Sequence, residues 1–260
     1  KIKKALNCND SDEIDLPFNL VQSSDNPLSN TQTILELCLF ARSLPPLDTD
    51  AGLNNGSIQG QMLLPPKTRS SPRYTLVLDL DETLVHCSVL RPGTEVPNQK
   101  SEHHFDFPVE FEGVHHRVVG FCRPFLKKFL ARVSSKFELV LFTASVPAYA
   151  AQLLQQLDPN RLIFKHRLFR DSCHFVNGNY VKDLSCLGRD LSTTIIVDNT
   201  PQAFSYHLDN GIPIKSWYDD SNDMELLKLL PFLDTLSQCA DVRPEIKYKY
   251  GATALLDRFK

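Results

Sequence analysis

Asp79 and Asp81, separated by one leucine, close the apolar run of "YTLVLDLDETLV" at residues 74–85. A strand interior is a costly place for carboxylates unless they are paired, solvated or put to use. One use is covalent chemistry: the first carboxylate can attack an electrophile, and the second, beyond the strand end, can deliver and later remove a proton. A strand-ending aspartate also serves as turn former or helix cap. The pair therefore takes its meaning from the rest of the chain.

Three other places put polar groups directly after strand-like runs: Thr143, Ala144 and Ser145 after "FELVLF", Lys182 after "NYV", and Asp198 with Asn199 after "TTIIV". Loops at the carboxyl ends of parallel strands converge on one crevice, so these residues are candidates for one site. Carboxylates, a hydroxyl, an amine and a side-chain carbonyl are the groups that surround a magnesium ion and a phosphate. Lys182 would neutralise the phosphate oxygens, while Thr143 and nearby backbone N–H groups donate to them. Ser145 also reads as a cap for the next helix.

The elements that must position these groups alternate. Besides the four strands above, "RLIFKHRLF" and "GIPIKSW" read as strands, whereas "RPFLKKFLARVSS", "VPAYAAQLLQQLD", "TPQAFSYHL" and "NDMELLKLLPFLDTLSQC" have apolar spacing near the helical period. Pro124, Pro147 and Pro201 suit first helical positions. The alternation predicts an α/β fold with a mostly parallel central sheet flanked by helices. Residues 89–120 break the pattern: Phe105, Phe107, Val109 and Phe111 recur with period two and Glu112-Gly113 marks a turn, which predicts a small β-rich insertion. Residues 1–70 read as a polar N-terminal extension, 71–240 as the core and 241–260 as a tail, with "ILELCLFA" a short helix or strand at most.

Composition narrows the function. The chain of 260 residues has 42% apolar and 23% charged residues and a net charge of −3, which argues against direct nucleic-acid binding. Seven cysteines without a C-x-x-C pair suggest neither a disulfide framework nor a zinc site, and fit reduced thiols in the cytosol or nucleus. No apolar run reaches membrane-spanning length. Lys1 stands first in place of methionine, so targeting signals are left open, as is the oligomeric state. Six residues after Cys87 stands Gly93 rather than the arginine of a cysteine phosphatase. The chain also lacks the G-D, G-K and G-x-G pairs of dinuclear phosphatases, P-loops and Rossmann dinucleotide sites. His103, His104, His115 and His116 read as solvated strand positions.

The motifs "LDLDETLVHCS", "LFTAS", "GNYVKDLSCLGRDL" and "IIVDNTPQAF", in this order, resemble the haloacid dehalogenase superfamily and, within it, the small phosphatases of the RNA polymerase II carboxy-terminal domain, over about residues 64–245. The resemblance implies a haloacid dehalogenase (Rossmann-like) fold and a protein phosphatase in which Asp79 is the nucleophile and Asp81 the acid and base. It implies Mg²⁺ held by Asp79, the Asp81 carbonyl and Asn199, with Asp198 orienting that shell. Arg170 matches an arginine near substrate, and Phe105, Phe107, Val109 and Val118 match an apolar pocket for a proline. The implied partner is a phosphoserine or phosphothreonine protein, such as the polymerase tail or signalling transcription factors, met in the nucleus or cytoplasm, with the nucleus favoured. Two departures stand out: a longer run from Arg91 to His104, and Thr200 in place of the usual serine. The rival readings are a catalytically inactive phosphopeptide-binding module, which would not need Asp81, and a D-x-D glycosyltransferase, which would not need Lys182 and Asn199.

Overall fold

A computed structural model of the chain describes residues 31–47, 62–90, 104–111 and 113–251. In chain order the elements are α1 (Thr31–Ser43), β1 (Tyr74–Leu78), β2 (Val85–Leu90), β3 (His104–Phe111), β4 (Val114–Cys122), α2 (Leu126–Val133), β5 (Phe137–Phe142), α3 (Pro147–Leu157), β6 (His166–Leu168), β7 (His174–Val176), β8 (Asn179–Val181), β9 (Thr194–Asp198), β10 (Gly211–Pro213), α4 (Glu225–Leu236) and α5 (Arg243–Tyr250). A five-stranded sheet runs in the order β10-β9-β1-β5-β6, and every pairing in it is parallel. This is the α/β arrangement with a mostly parallel central sheet expected from the sequence. The chain moves outward from β1 through β5 to β6, then returns to β1's other side with β9 and β10. Strand order thus reverses beside β1, where an open α/β sheet forms its binding crevice.

Burial explains why β1, β5 and β9 are continuously apolar. Leu76, Leu78, Leu139, Leu141, Ile195 and Val197 pack on one face with α2, α3, α4 and α5. Val77, Val140, Phe142 and Ile196 pack on the other with Phe204, Leu208 and Leu37. Alternate side chains serve opposite layers, so polar positions are confined to strand ends.

The insertion is a separate antiparallel sheet, β2-β4-β3, running from Val85 to Cys122 rather than over 89–120. Phe105, Phe107, Val109 and Val118 are buried in the main core, so they dock the insertion rather than present an open apolar surface. The expected turn at Glu112-Gly113 lies partly outside the described residues; Gly113 has a φ of 77°. His115 is exposed on β4, whereas His103 lies outside the described residues.

Within the stretch read as extension, "ILELCLFA" takes the helix of its two readings as part of α1, with Leu37 buried against the sheet. An isolated helix of this length is marginal in water, and burying one leucine contributes about 1.5–3 kcal/mol. Several other elements depart from the sequence reading. Ile246 of α5, in the stretch read as tail, is buried in the core. Residues Pro201–Asn210 form a kinked 3-10 stretch, since Phe204 and His207 leave helical backbone angles. Helix α2 starts after Phe125, which has a left-handed φ of 62°, not at Pro124. The β7–β8 hairpin was not expected, although "NG" is the signal for its two-residue turn: Asn177 and Gly178 take φ of 47° and 82°.

Candidate active site

The site grows from the end of β1. The Asp79 N–H donates to the Val197 carbonyl at 3.1 Å, extending the β1–β9 ladder by one residue. The chain then turns sharply. Leu80, fully buried, accepts from the N–H groups of Leu84 (2.9 Å) and Val85 (3.1 Å), and Glu82 adopts a left-handed φ of 57°. Leu80 packs in the core, while the Asp79 carboxylate faces Lys182 and that of Asp81 faces Ser145 and Tyr149.

Lys182 reaches Asp79 from elsewhere in the fold. Its ammonium is 2.6 Å from Asp79 Oδ1 and 2.6 Å from Asp198 Oδ2, and the side chain is 2% exposed. The lysine ends the β7–β8 hairpin, not a strand of the central sheet, and its N–H donates to the Ala203 carbonyl at 2.6 Å. Burial alone would lower the lysine's pKa, but the Asp198 and Asp79 carboxylates outweigh it and raise it. Asp198 is pushed up to about 7 by burial, with the Asp79 charge adding to this against the pull of Lys182. Asp198 also accepts from the Thr200 N–H at 2.8 Å, so Thr200 contributes its backbone here.

Asp81 faces a second set of donors. Its Oδ1 accepts from the Tyr149 hydroxyl at 2.6 Å, and its Oδ2 from Ser145 Oγ at 2.7 Å and, more distantly, from Thr143 Oγ1 at 3.4 Å. Burial raises its pKa, the three hydroxyls oppose that, and the Asp79 charge adds to it. Thr143 extends the β5–β6 ladder through its N–H to the Leu168 carbonyl, and its hydroxyl accepts from the Ser145 N–H at 3.0 Å. Ser145 is not a helix cap: Val146 precedes α3 without a side-chain cap, and the serine hydroxyl is spent on Asp81. Arg170 stands exposed beside this strand end, with Nε donating to the Ala144 carbonyl and its guanidinium 4.7 Å over the Tyr180 ring.

Asn199 is held by residues that the sequence did not single out. Its Oδ1 accepts from Thr83 Oγ1 at 3.2 Å, and its Nδ2 donates to Ser216 Oγ at 2.9 Å. Behind Thr83 lies Arg123, whose side chain is wholly buried. It donates to the Thr83 carbonyl (3.1 Å), to the Lys215 carbonyl (2.9 Å), and through two nitrogens to Asp223 (2.7 and 2.8 Å). Thr83 sat inside the quoted motif, but Arg123 and Tyr149 carried no local signal: their partners lie 100 and 68 residues away.

Asp79 and Asp198 thus share one buried ammonium, and Asp81 stands close enough to Asp79 to feel its charge. The excess negative charge fits a divalent cation, and the available donors, the Asp79 carboxylate, the Asp81 carbonyl and the Asn199 amide oxygen, are all hard oxygens of the kind Mg²⁺ prefers. Among the described residues no helix is long and apolar enough to cross a membrane.

Residues 74–243 match the family described as NLI interacting factor-like phosphatase. The chain is 52% identical to a Dictyostelium discoideum protein called CTD small phosphatase-like protein 2, over 75% of this chain and 33% of that protein. It is 52% identical to the Caenorhabditis elegans CTD small phosphatase-like protein 3, over 72% of this chain and 63% of that protein. To the human carboxy-terminal domain RNA polymerase II polypeptide A small phosphatase 1 it is 46% identical, over 70% of this chain and 67% of that protein. The chain therefore spans between a third and two thirds of the length of these relatives. Since the family match takes in the whole central sheet and all four motif positions, the chain belongs to the NLI interacting factor-like phosphatases.

Proposed function

We propose that the chain is a Mg²⁺-dependent phosphatase of phosphoserine and phosphothreonine in proteins, working through an aspartyl-phosphate on Asp79. The observation that carries this reading is the Lys182 ammonium 2.6 Å from both Asp79 and Asp198, with Asp81 two residues on and held by separate donors. Asp79 attacks phosphorus, and the bond to the serine or threonine oxygen breaks. Asp81 supplies the proton that the leaving oxygen needs. A water then attacks the phosphoryl group and gives its proton back to Asp81, releasing phosphate and restoring Asp79. Lys182, the Thr143 hydroxyl and the backbone around Ala144 stabilise the equatorial oxygens, with Arg170 on the substrate side. Asp79, the Asp81 carbonyl and Asn199 would hold Mg²⁺, with Asp198 ordering the surrounding shell. When bound, the ion supplies the positive charge that lets an anionic nucleophile approach an anionic phosphate.

The names of the relatives support substrates of the polymerase carboxy-terminal-domain class, and signalling transcription factors present the same phosphoester; a nuclear site of action accords with both. The test is hydrolysis of an aryl phosphate with saturating Mg²⁺. Asp79→Asn is expected to lose about 10³-fold or more in kcat while keeping its circular dichroism spectrum. Chelation should silence the wild type and added Mg²⁺ restore it. Near-native turnover by Asp79→Asn would end the proposal.

A further inference from the structure

A second group of reactive side chains follows directly on Lys182. Asp183, 4% exposed, turns its carboxylate into a ring of partners. Its Oδ1 accepts from the Ser185 N–H (2.8 Å) and hydroxyl (2.7 Å) and pairs with His207 Nε2 at 2.8 Å. Its Oδ2 accepts from the Cys186 thiol at 3.0 Å. The imidazole of His174, on β7, faces that same oxygen from 3.8 Å, too far for a hydrogen bond. His174 Nε2 is nevertheless removed from solvent and makes no hydrogen bond, a state shared among the described residues only with Arg167 Nε. Buried polar atoms are seldom left so.

What would satisfy that nitrogen is read from its neighbours. One ligating atom each from His174, Asp183 and Cys186 lies within 4.8 Å of the other two. Tetrahedral zinc, with bonds of about 2.0–2.3 Å, sets its ligand atoms roughly 3.4–3.6 Å apart. The sulfur-to-oxygen separation of 3.0 Å and the nitrogen-to-oxygen separation of 3.8 Å fall on either side of that value, each within a few tenths of an ångström of it, and the nitrogen and sulfur lie within 4.8 Å of each other. Nitrogen, sulfur and oxygen together suit a borderline-soft ion and not Mg²⁺.

We propose that His174, Asp183 and Cys186 form a binding site for a zinc-class divalent cation, distinct from the oxygen-donor site at Asp79. Three protein ligands leave a fourth position for water. His207, on the other carboxylate oxygen, is the outer contact that orients a ligating group. Binding exchanges the Cys186 S–H bond for a sulfur–metal bond and releases one proton. Because His174 pairs with Val181 across the hairpin and Asp183 follows Lys182, the ion would staple the segment that carries the lysine. The sequence hid this site: its ligands come from a strand and from the loop after the next strand, with no C-x-x-C spacing.

The experiment is a titration of the chelator-stripped full chain with Co²⁺, whose thiolate charge-transfer absorption reports sulfur ligation. One equivalent is expected to bind with that band, to be displaced by Zn²⁺ and to resist excess Mg²⁺. Cys186→Ser and His174→Gln should each lose the band while keeping the wild-type circular dichroism spectrum; the latter removes a nitrogen that makes no hydrogen bond. Cys173→Ser, Cys239→Ser and Asp79→Asn should keep it, the last separating this site from the one at Asp79. No thiolate band in the wild type, or a band that survives either Cys186→Ser or His174→Gln, would overturn the proposal.

Discussion

Asp81 is positioned by hydroxyls on both of its oxygens, Tyr149 on one side and Ser145 with Thr143 on the other. In the proposed role of general acid, a carboxylate fixed in this way matters in proportion to how badly the leaving group needs a proton. Asp81→Asn is therefore expected to cost about 10²–10⁴-fold on phosphoserine peptides and much less on an aryl phosphate with a stable phenolate. Equal losses on the two substrates, compared as kcat, would remove Asp81 from the acid role. The Tyr149 hydroxyl is spent on Asp81, with Cys87 beside it. Tyr149→Phe keeps the ring that packs near Phe107, 6.2 Å between centroids, and deletes the hydroxyl's hydrogen bonding. The expected result is a kcat drop of roughly tenfold on phosphoserine peptides at unchanged KM, with aryl phosphate hydrolysis little altered. A loss carried by KM would make Tyr149 a packing residue instead.

Among the elements, the hairpin β7–β8 and the 201–210 stretch together deliver Lys182, since the lysine's own N–H is fixed by the Ala203 carbonyl. The kinks at Phe204 and His207 are compatible with this: a Phe204 ring atom stands 2.1 Å from where a Cβ on Gly211 would lie, so the stretch is pressed against β10. On the other flank, Arg123 ties the turn after β1 to residues 215–223. Replacing it by methionine would leave Asp223 uncompensated in a buried place and free the Thr83 carbonyl. Arg123→Met is expected to lose about 3–5 kcal/mol in urea denaturation. It should also need more Mg²⁺ for half-maximal activity, because Thr83 holds Asn199. A variant as stable as the wild type would show that the fork carries no net stability.

For the whole molecule, chemistry and anchoring occupy opposite ends of the same strands. Asp79, Thr143 and Asp198 stand at the carboxyl ends of β1, β5 and β9, whereas Thr75 and Glu138 are second residues of β1 and β5. There Arg189 forks onto Glu138 at 2.7 and 2.9 Å, Thr75 donates at 3.0 Å, and Lys67 and His166 approach to 3.6 and 3.4 Å. Burial would raise the Glu138 pKa, but the hydrogen bonds from Arg189 and Thr75 and the nearby charges bring it below 4.5. With the folded value below the unfolded one, the unfolded chain binds more protons between the two. The contribution is therefore complete above pH 4.5 and is lost as pH falls through the folded value. Urea midpoints followed from pH 7 to pH 3 should fall less steeply in Glu138→Gln than in the wild type; parallel curves would contradict this.

The sequence by itself determined the sheet and most of one edge of it. Apolar runs ending in polar residues specify buried parallel strands, and once β1, β5 and β9 are neighbours, Asp79, Asp81, Thr143, Asp198 and Asn199 must share a crevice. That inference needs only local periodicity and the rule that crossovers keep strands parallel. The tertiary structure alone decided that Lys182 arrives on a hairpin outside the sheet, that Tyr149 and Thr83 orient the acid and the amide, and that α1 covers part of one face. It also brought His174, Asp183 and Cys186 within 4.8 Å of one another. The hydrogen bonds of Lys182, Tyr149 and Thr83 join residues far apart in the chain, and they give buried polar groups their partners. No pattern among sequence neighbours encodes which partner that will be.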